Sequence, residues 1–220
     1  MKPIFRTAII NLMMGQTKDR IIMASIELFN EQGFVNVRLQ NIADELKISV
    51  GNLAYHFKNK EAIVAKAYEK IGEELKAILS SYRASPDLRD LDYQLDSYYQ
   101  FIGKYPFYFI DILEIKRNYP HLHEERKDFI LKMRVQFEKR IEYNQTRGIL
   151  TSELSKQQVA QLADNICTLV TFWYTSQSIK DENNNLCSFK CSIWMQLHAF
   201  LTQKGLEEYE RFIKPALNVI

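Results

Sequence analysis

The residues of this chain whose types and spacing could do chemistry are concentrated between Gln40 and Lys60, in QNIADELKISVGNLAYHFKNK. They are not a catalytic set. Ile42, Ala43 and Leu46 make one apolar stripe, and Leu53 and Phe57, four apart, make a second. That pattern predicts two short helices with a tight corner at Lys47-Ile48-Ser49. Ser49 suits the N-cap of the second helix, because its hydroxyl can accept from an orphan backbone N–H. Gly51, Asn52, Tyr55 and His56 are then left pointing outward, a group that is polar, aromatic and nearly free of acids. Such a face suits a helix laid in a major groove, where carboxylates would meet phosphates badly. The same pattern also describes a helical hairpin in an all-α core, since helix-turn-helix geometry occurs without DNA.

Other chemistries have less support. The chain contains no P-loop, no Gly-x-Ser-x-Gly, no His-Glu-x-x-His and no dinucleotide glycine run. Its four histidines, at 56, 121, 123 and 198, suggest no Ser/His/acid set, and no enzyme activity is expected. His121 and His123 near Asp111 and Glu114, and Cys187-x-x-x-Cys191 with His198 beyond, have spacings that could face a metal. Buried single cysteines are common small hydrophobes, so no metal and no cofactor is assigned.

At 220 residues with 46% apolar content the chain can bury a substantial core. Only 7 Gly and 5 Pro argue against a turn-rich all-β fold, and no apolar run approaches a membrane span. Residues 1–60 carry eight Lys/Arg against five Asp/Glu, whereas residues 61–220 carry 21 against 22. The mild basic excess at the N-terminal end fits nucleic-acid contact. Three cysteines are no disulfide framework, and a reducing cytoplasm is the simplest setting.

The elements that must position the 40–60 stretch read as follows. Residues 1–16 are expected to be a disordered arm or extended start, with Met14 a candidate initiator. A bracing helix is predicted from Thr17 to Gln32, stopped by Gly33. A long helix should run from Lys60 to Tyr82 and end at Ser85-Pro86-Asp87. Pro106 and Pro120 divide an aromatic-rich region, and a further helix spans about His121–Arg147, stopped by Gly148. A helix from Ser155, a polar loop at Asp181–Asn185, an apolar helix through Phe189–Leu201, a break at Gly205 and a short last helix at Glu207–Leu217 complete an all-α chain of nine to ten helices. The apolar stripes holding Leu169, Trp173, Ile193, Trp194 and Leu197 look too wide for one partner face, so they are candidates for a dimer interface. They could also meet inside one subunit. Tyr98, Phe101, Tyr105, Phe109 and Tyr119, with Phe137 and Trp173, are candidate pocket residues, because tyrosines combine an apolar wall with a hydroxyl. Ordinary core packing is the other reading.

Residues 18–63 resemble the N-terminal domain of the TetR family of bacterial transcription regulators. The resemblance is carried by KDRIIMASIELFNEQGF, IADELKIS and GNLAYHFKNKEAI, with the spacing from Gly33 to Ile42, Phe57 and Lys60 kept without a gap. The chain departs from the family pattern at Arg38 (usually Thr), Lys47 (usually Gly) and Ala54 (usually Tyr). The resemblance implies a helix-turn-helix DNA-binding domain over 17–62 and a helical regulatory and dimerisation domain over 63–220. It implies a cytoplasmic, homodimeric repressor that binds a palindromic double-stranded operator and answers to a small-molecule effector, with no membrane partner. Within it, His56 and Lys60 would hold phosphates, and Gly51 would let the backbone approach the groove. Ser49 would sit at the head of the reading helix. Asn52 and Tyr55 would contact phosphates or base edges, and Val50 a thymine methyl. Arg38 and Gln40 would meet phosphate at the start of the preceding helix. The alternative is a helical small-molecule-binding or scaffold protein that no longer uses its DNA-binding head.

Overall fold

The computed structural model describes residues 3–81, 86–180 and 185–217, with side chains from Gln16 onward. Twelve helices are present among these residues: α1 (Pro3–Gln32), α2 (Leu39–Glu45), α3 (Val50–His56), α4 (Lys60–Ser80), α5 (Leu88–Lys104), α6 (Pro106–Ile110), α7 (Ile112–Asn118), α8 (Pro120–Thr146), α9 (Lys156–Lys180), α10 (Leu186–His198), α11 (Gln203–Phe212) and α12 (Lys214–Leu217). The chain forms two compact units, residues 1–73 with 111–123, and residues 74–110 with 124–220. This grouping differs from a boundary at residue 63, because a segment distant in sequence belongs with the head.

In the first unit α1 buries Ile21, Ile26 and Phe29 against Ile42 and Ala43 of α2 and Leu53 of α3, all essentially inaccessible. Ser25 sits within that packed face and donates its hydroxyl to the Ile21 carbonyl at 2.7 Å. Gly33 ends α1 with φ of +77°, where a Cβ would be strained. The helix starts at Pro3, not at Thr17, so the extended or disordered start expected for residues 1–16 is not what residues 3–16 adopt. Proline is accommodated at a helix's first position, and the Ile, Leu and Met that follow tolerate helix. The corner between α2 and α3 turns on Lys47, whose φ of +55° is left-handed. Ser49 caps α3 as expected, its Oγ accepting from the Asn52 N–H at 3.1 Å.

Two prolines open helices: Pro106 is the first residue of α6, in the second unit, and Pro120 is the first residue of α8, whose first turn belongs to the first unit. The aromatic region therefore divides into α5, α6 and α7, one helix more than Pro106 alone predicts. The core holds Leu95, Tyr98, Phe107, Phe137, Ile166, Phe189, Ile193 and Trp194. Two of the cations buried in the core of the second unit, Arg140 and Lys190, meet carboxylates. Arg140 Nη1 lies 2.5 Å from Asp90 Oδ2, and Lys190 Nζ donates to Asp92 at 2.7 Å and to Asp96 at 2.8 Å. Asp92 also accepts from Trp194 Nε1 at 3.0 Å. Gly205 does not break the chain into separate helices. It lies in the first turn of α11, where a Cβ would fall 2.1 Å from the Ile149 carbonyl oxygen, so the absence of a side chain lets α11 seat against that backbone. An antiparallel bridge, Leu150 to Leu201, fastens the same region. The expected helix end at Tyr82–Ser85 and the polar loop at 181–184 lie outside the described residues.

Candidate nucleic-acid interface and effector cavity

α3 presents one face to solvent. Gly51, Asn52, Ala54 and Tyr55 are exposed, Tyr55 at 73%, while Leu53 is fully buried and Val50 and His56 are half-buried. Gly51 is not demanded by the protein's own packing, since a Cβ there would meet only Ser49 Oγ at 3.8 Å. Tyr55 and His56 stack edge to face with centroids 5.3 Å apart. The side chains of Arg38, Asn52 and Lys58 are exposed and make no ion pair or side-chain hydrogen bond among the described residues. Arg38 nevertheless has a structural duty in its backbone, whose N–H donates to Asn41 Oδ1 at 2.8 Å at the start of α2. Gln40 donates to Asp44 Oδ1 at 2.7 Å, so its amide is engaged along α2. Lys58 was missed by motif reasoning. Its signal was only its place two residues beyond α3 in a stretch without acids.

Lys60 is placed differently from the phosphate role expected for it. Its ammonium donates to the Phe34 carbonyl and sits 4.1 Å from the centre of the Phe34 ring and 5.7 Å from that of Phe29. Burial pushes its pKa down, opposed by the nearby Asp111 carboxylate. Phe34 is the knot of this unit. Its N–H donates to Asp111 Oδ2 at 2.8 Å, its carbonyl accepts from Lys60, and its ring packs edge-on against Phe29 at 5.4 Å and Tyr119 at 5.6 Å. Burial raises the Asp111 pKa, with Glu114 adding to the rise and the Phe34 N–H and Lys60 opposing it. Tyr119, expected in the pocket, is thus part of the head.

The second unit contains a cavity of about 20 Å³, room for roughly one water molecule. Of the expected pocket residues, Tyr98, Phe101 and Phe109 line it, together with Tyr108, Phe129, Met133, Thr171 and Arg126. The others do not. Tyr105 donates its hydroxyl to Glu74 at 2.7 Å. Phe137 lines a separate cavity with Leu88 and Ile141, and its ring pairs with Tyr98 at 6.4 Å. Trp173 packs against Phe189 at 5.3 Å. These placements follow from which face of each helix meets its neighbour, something aromatic spacing alone does not encode.

The expected dimer residues need the same correction. Trp173, Ile193, Trp194 and Leu197 are 4%, 0%, 1% and 2% exposed inside the unit, and Leu169 is half-buried. The stripes meet within one subunit because α9 and α10 pack against each other and against α5 and α6. The outer faces of α9 and α10 instead carry Phe172, Ile179 and Met195, exposed at 46%, 77% and 67%.

Cys187 and Cys191 place their sulfurs 3.6 Å apart, and the Cys187 thiol donates to the Leu217 carbonyl at 2.9 Å. Among the described residues, no group of three or more His, Cys, Asp or Glu is arranged to hold a metal, and no helix is long and apolar enough to cross a membrane.

The chain is similar to known regulators along its length. Residues 21–67 match the family described as bacterial regulatory proteins, tetR family, and residues 70–209 match TetR, described as bacterial transcriptional repressor. YerO, an uncharacterized HTH-type transcriptional regulator of Bacillus subtilis (strain 168), is 46% identical over 56 residues, covering 26% of this chain and 19% of that protein. IcaR of Staphylococcus epidermidis, named as the biofilm operon icaADBC HTH-type negative transcriptional regulator, is 33% identical over 91 residues, 41% of this chain and 45% of that protein. The matched stretches thus span less than half the length of these relatives. The fold is similar to that of a TetR-family transcriptional regulator from Marinobacter aquaeolei VT8, with a TM-score of 0.79 at 23% identity over 90% of this chain and 96% of that one. Since the repressor description is matched over more than half of its length, this chain belongs to the TetR family of bacterial transcriptional repressors.

Proposed function

We propose that the protein is a cytoplasmic, homodimeric repressor that lays α3 in the major groove of an operator and releases it when a small molecule occupies the second unit. The observation that carries this reading is the exposed face of α3 and its flanks. Asn52, Tyr55, Arg38 and Lys58 are exposed on or beside a rigidly capped helix that bears no carboxylate. Asn52 and Tyr55 meet base edges or phosphates, while Arg38 and Lys58 meet phosphates. Gly51 gives the backbone its closest approach, and Val50 reaches a thymine methyl. Lys60 holds Phe34 in place and supports the surface from behind.

Pairing of two copies through the faces bearing Phe172, Ile179 and Met195 would bury apolar area now in solvent. A pair of copies carries two reading helices, as two half-sites roughly 34–36 Å apart require. The signal to the head has a covalent route. Phe109 lines the cavity, and Asp111, two residues on, holds the Phe34 N–H in the head. A coupling of about 1–3 kcal/mol between effector and operator suffices for a working switch.

The test is a mobility-shift titration with the duplex upstream of the protein's own gene, at two stated salt concentrations. Tyr55→Ala and Asn52→Ala should each weaken the specific complex by about 1–3 kcal/mol while leaving the far-UV circular dichroism unchanged. Equal binding of this duplex and a scrambled one would refute the reading.

A further inference from the structure

Arg126 differs from every other cation buried in the second unit. Arg140 and Lys190 each meet a carboxylate. Arg126 is only 4% exposed, yet has no ion pair among the described residues. Its Nη1 donates to the Tyr108 carbonyl, and its guanidinium lies 4.0 Å from the Tyr108 ring centre and 5.4 Å from that of Phe109. Its Nε–H has no hydrogen-bond partner. Tyr98, 2% exposed on the wall of the same cavity, also has an unpartnered hydroxyl. Burial raises the phenol's pKa well above the ordinary tyrosine range, so it stays a donor. Two buried donors, one of them cationic, therefore border one small space whose other lining residues, Thr171 apart, are apolar or aromatic. Unsatisfied buried donors of this kind are costly and uncommon, and they mark a place where an acceptor belongs.

We propose that the effector is an amphipathic carboxylate, whose anionic oxygens accept from Arg126 and Tyr98 and whose apolar body lies among Phe101, Phe109 and Phe129. This rests on the effector site proposed above and names its ligand class. A neutral apolar ligand would leave both donors unsatisfied, and a cation would be repelled by the guanidinium. The existing space holds about one water, so binding must push lining groups outward. Phe129 and Ile130 are half-buried and form the yielding wall, and flexible Met133 can repack beside them. Thr171, also on the wall, carries a further hydroxyl.

The experiment is calorimetric titration of the full chain with two acids, 4-phenylbutyrate and dodecanoate, and with their neutral counterparts, 4-phenylbutanamide and dodecanol. At least one acid is expected to bind, with its neutral counterpart weaker by roughly tenfold to a hundredfold, the range for a charge-assisted hydrogen bond. Which acid binds distinguishes an aryl from an alkyl body. Arg126→Met should abolish the preference for the acid while leaving the melting temperature unchanged or higher, because it removes a buried unpaired charge. Tyr98→Phe, which keeps the ring, should weaken the acid and spare the neutral compound. Binding of neither acid at millimolar concentration, equal binding of acid and neutral pairs, or an acid preference that survives Arg126→Met would each overturn the proposal. Operator binding without ligand is measured separately, so loss of DNA recognition and loss of carboxylate recognition are told apart.

Discussion

Replacing Asp111 probes the knot at Phe34. In Asp111→Ala the Phe34 N–H loses its acceptor, a carboxylate oxygen at 2.8 Å, in a place where Phe34 itself is 3% exposed. Leaving a buried donor unsatisfied costs about 1–3 kcal/mol, and Lys60 would lose a neighbouring counter-charge as well. Asp111→Asn keeps a carbonyl oxygen for the Phe34 N–H and removes the charge. Burial raises the Asp111 pKa, so ionisation of this carboxyl is less favourable in the folded chain than in the unfolded one. Its contribution to stability is fully present below the ordinary carboxylate value and is lost as pH rises through the raised value. Because Asn keeps an acceptor for the Phe34 N–H, it should lose less than Ala, by about 1 kcal/mol or more. The assay is urea unfolding of wild type and both variants at pH 7 and at pH 4, together with hydrogen exchange of the Phe34 amide. The order expected at pH 7 is Asn at or near wild type, then Ala, with exchange at Phe34 accelerated in Ala only. Equal losses in Asn and Ala, or unchanged Phe34 protection in Ala, would refute the assignment of Asp111 as the clamp on the head.

Gly51→Ala should fold as well as the wild type or up to about 1 kcal/mol better, since alanine favours helix and a Cβ has room there. Its operator complex should still weaken by about tenfold, ~1.4 kcal/mol, in a mobility-shift titration, because the added methyl faces the partner. Lys58→Ala should weaken binding to all duplexes alike and reduce the salt slope by about one unit per subunit, read from titrations at several salt concentrations. Asp92→Ala should cost about 3 kcal/mol in urea unfolding, since it strands Trp194 Nε1 and leaves Lys190 with Asp96 alone. Asp92→Asn should recover part of that loss by keeping an acceptor for the indole.

The amino-acid sequence by itself determined the head. Helix periods, the Ser49 cap, the Gly33 stop and the inward pair Leu53 and Phe57 are local signals. Each acts over one or two helical turns, so each can be read without knowing what lies across the fold. The all-α character followed for the same reason. Lys47 is a partial exception. It occupies a left-handed corner that usually favours glycine, so the surrounding packing of α2 and α3 imposes a conformation its own type resists.

Only the tertiary structure decided which side of α9 and α10 is inside. Trp194 of α10 found Asp92, 102 residues away, and Lys190 on the same helix found Asp92 and Asp96, and those pairings hold that side of α10 inward. The same holds for Lys60, drawn onto Phe34, and for Asp111, which reaches Phe34 across 77 residues and joins the head despite following the aromatic region. A polar partner so distant leaves no periodic trace in the chain. Arg126 is the plainest instance. In sequence it is one basic residue in a charged run, HEERKD, and only the packing around it shows a cation in an aromatic interior without an anion.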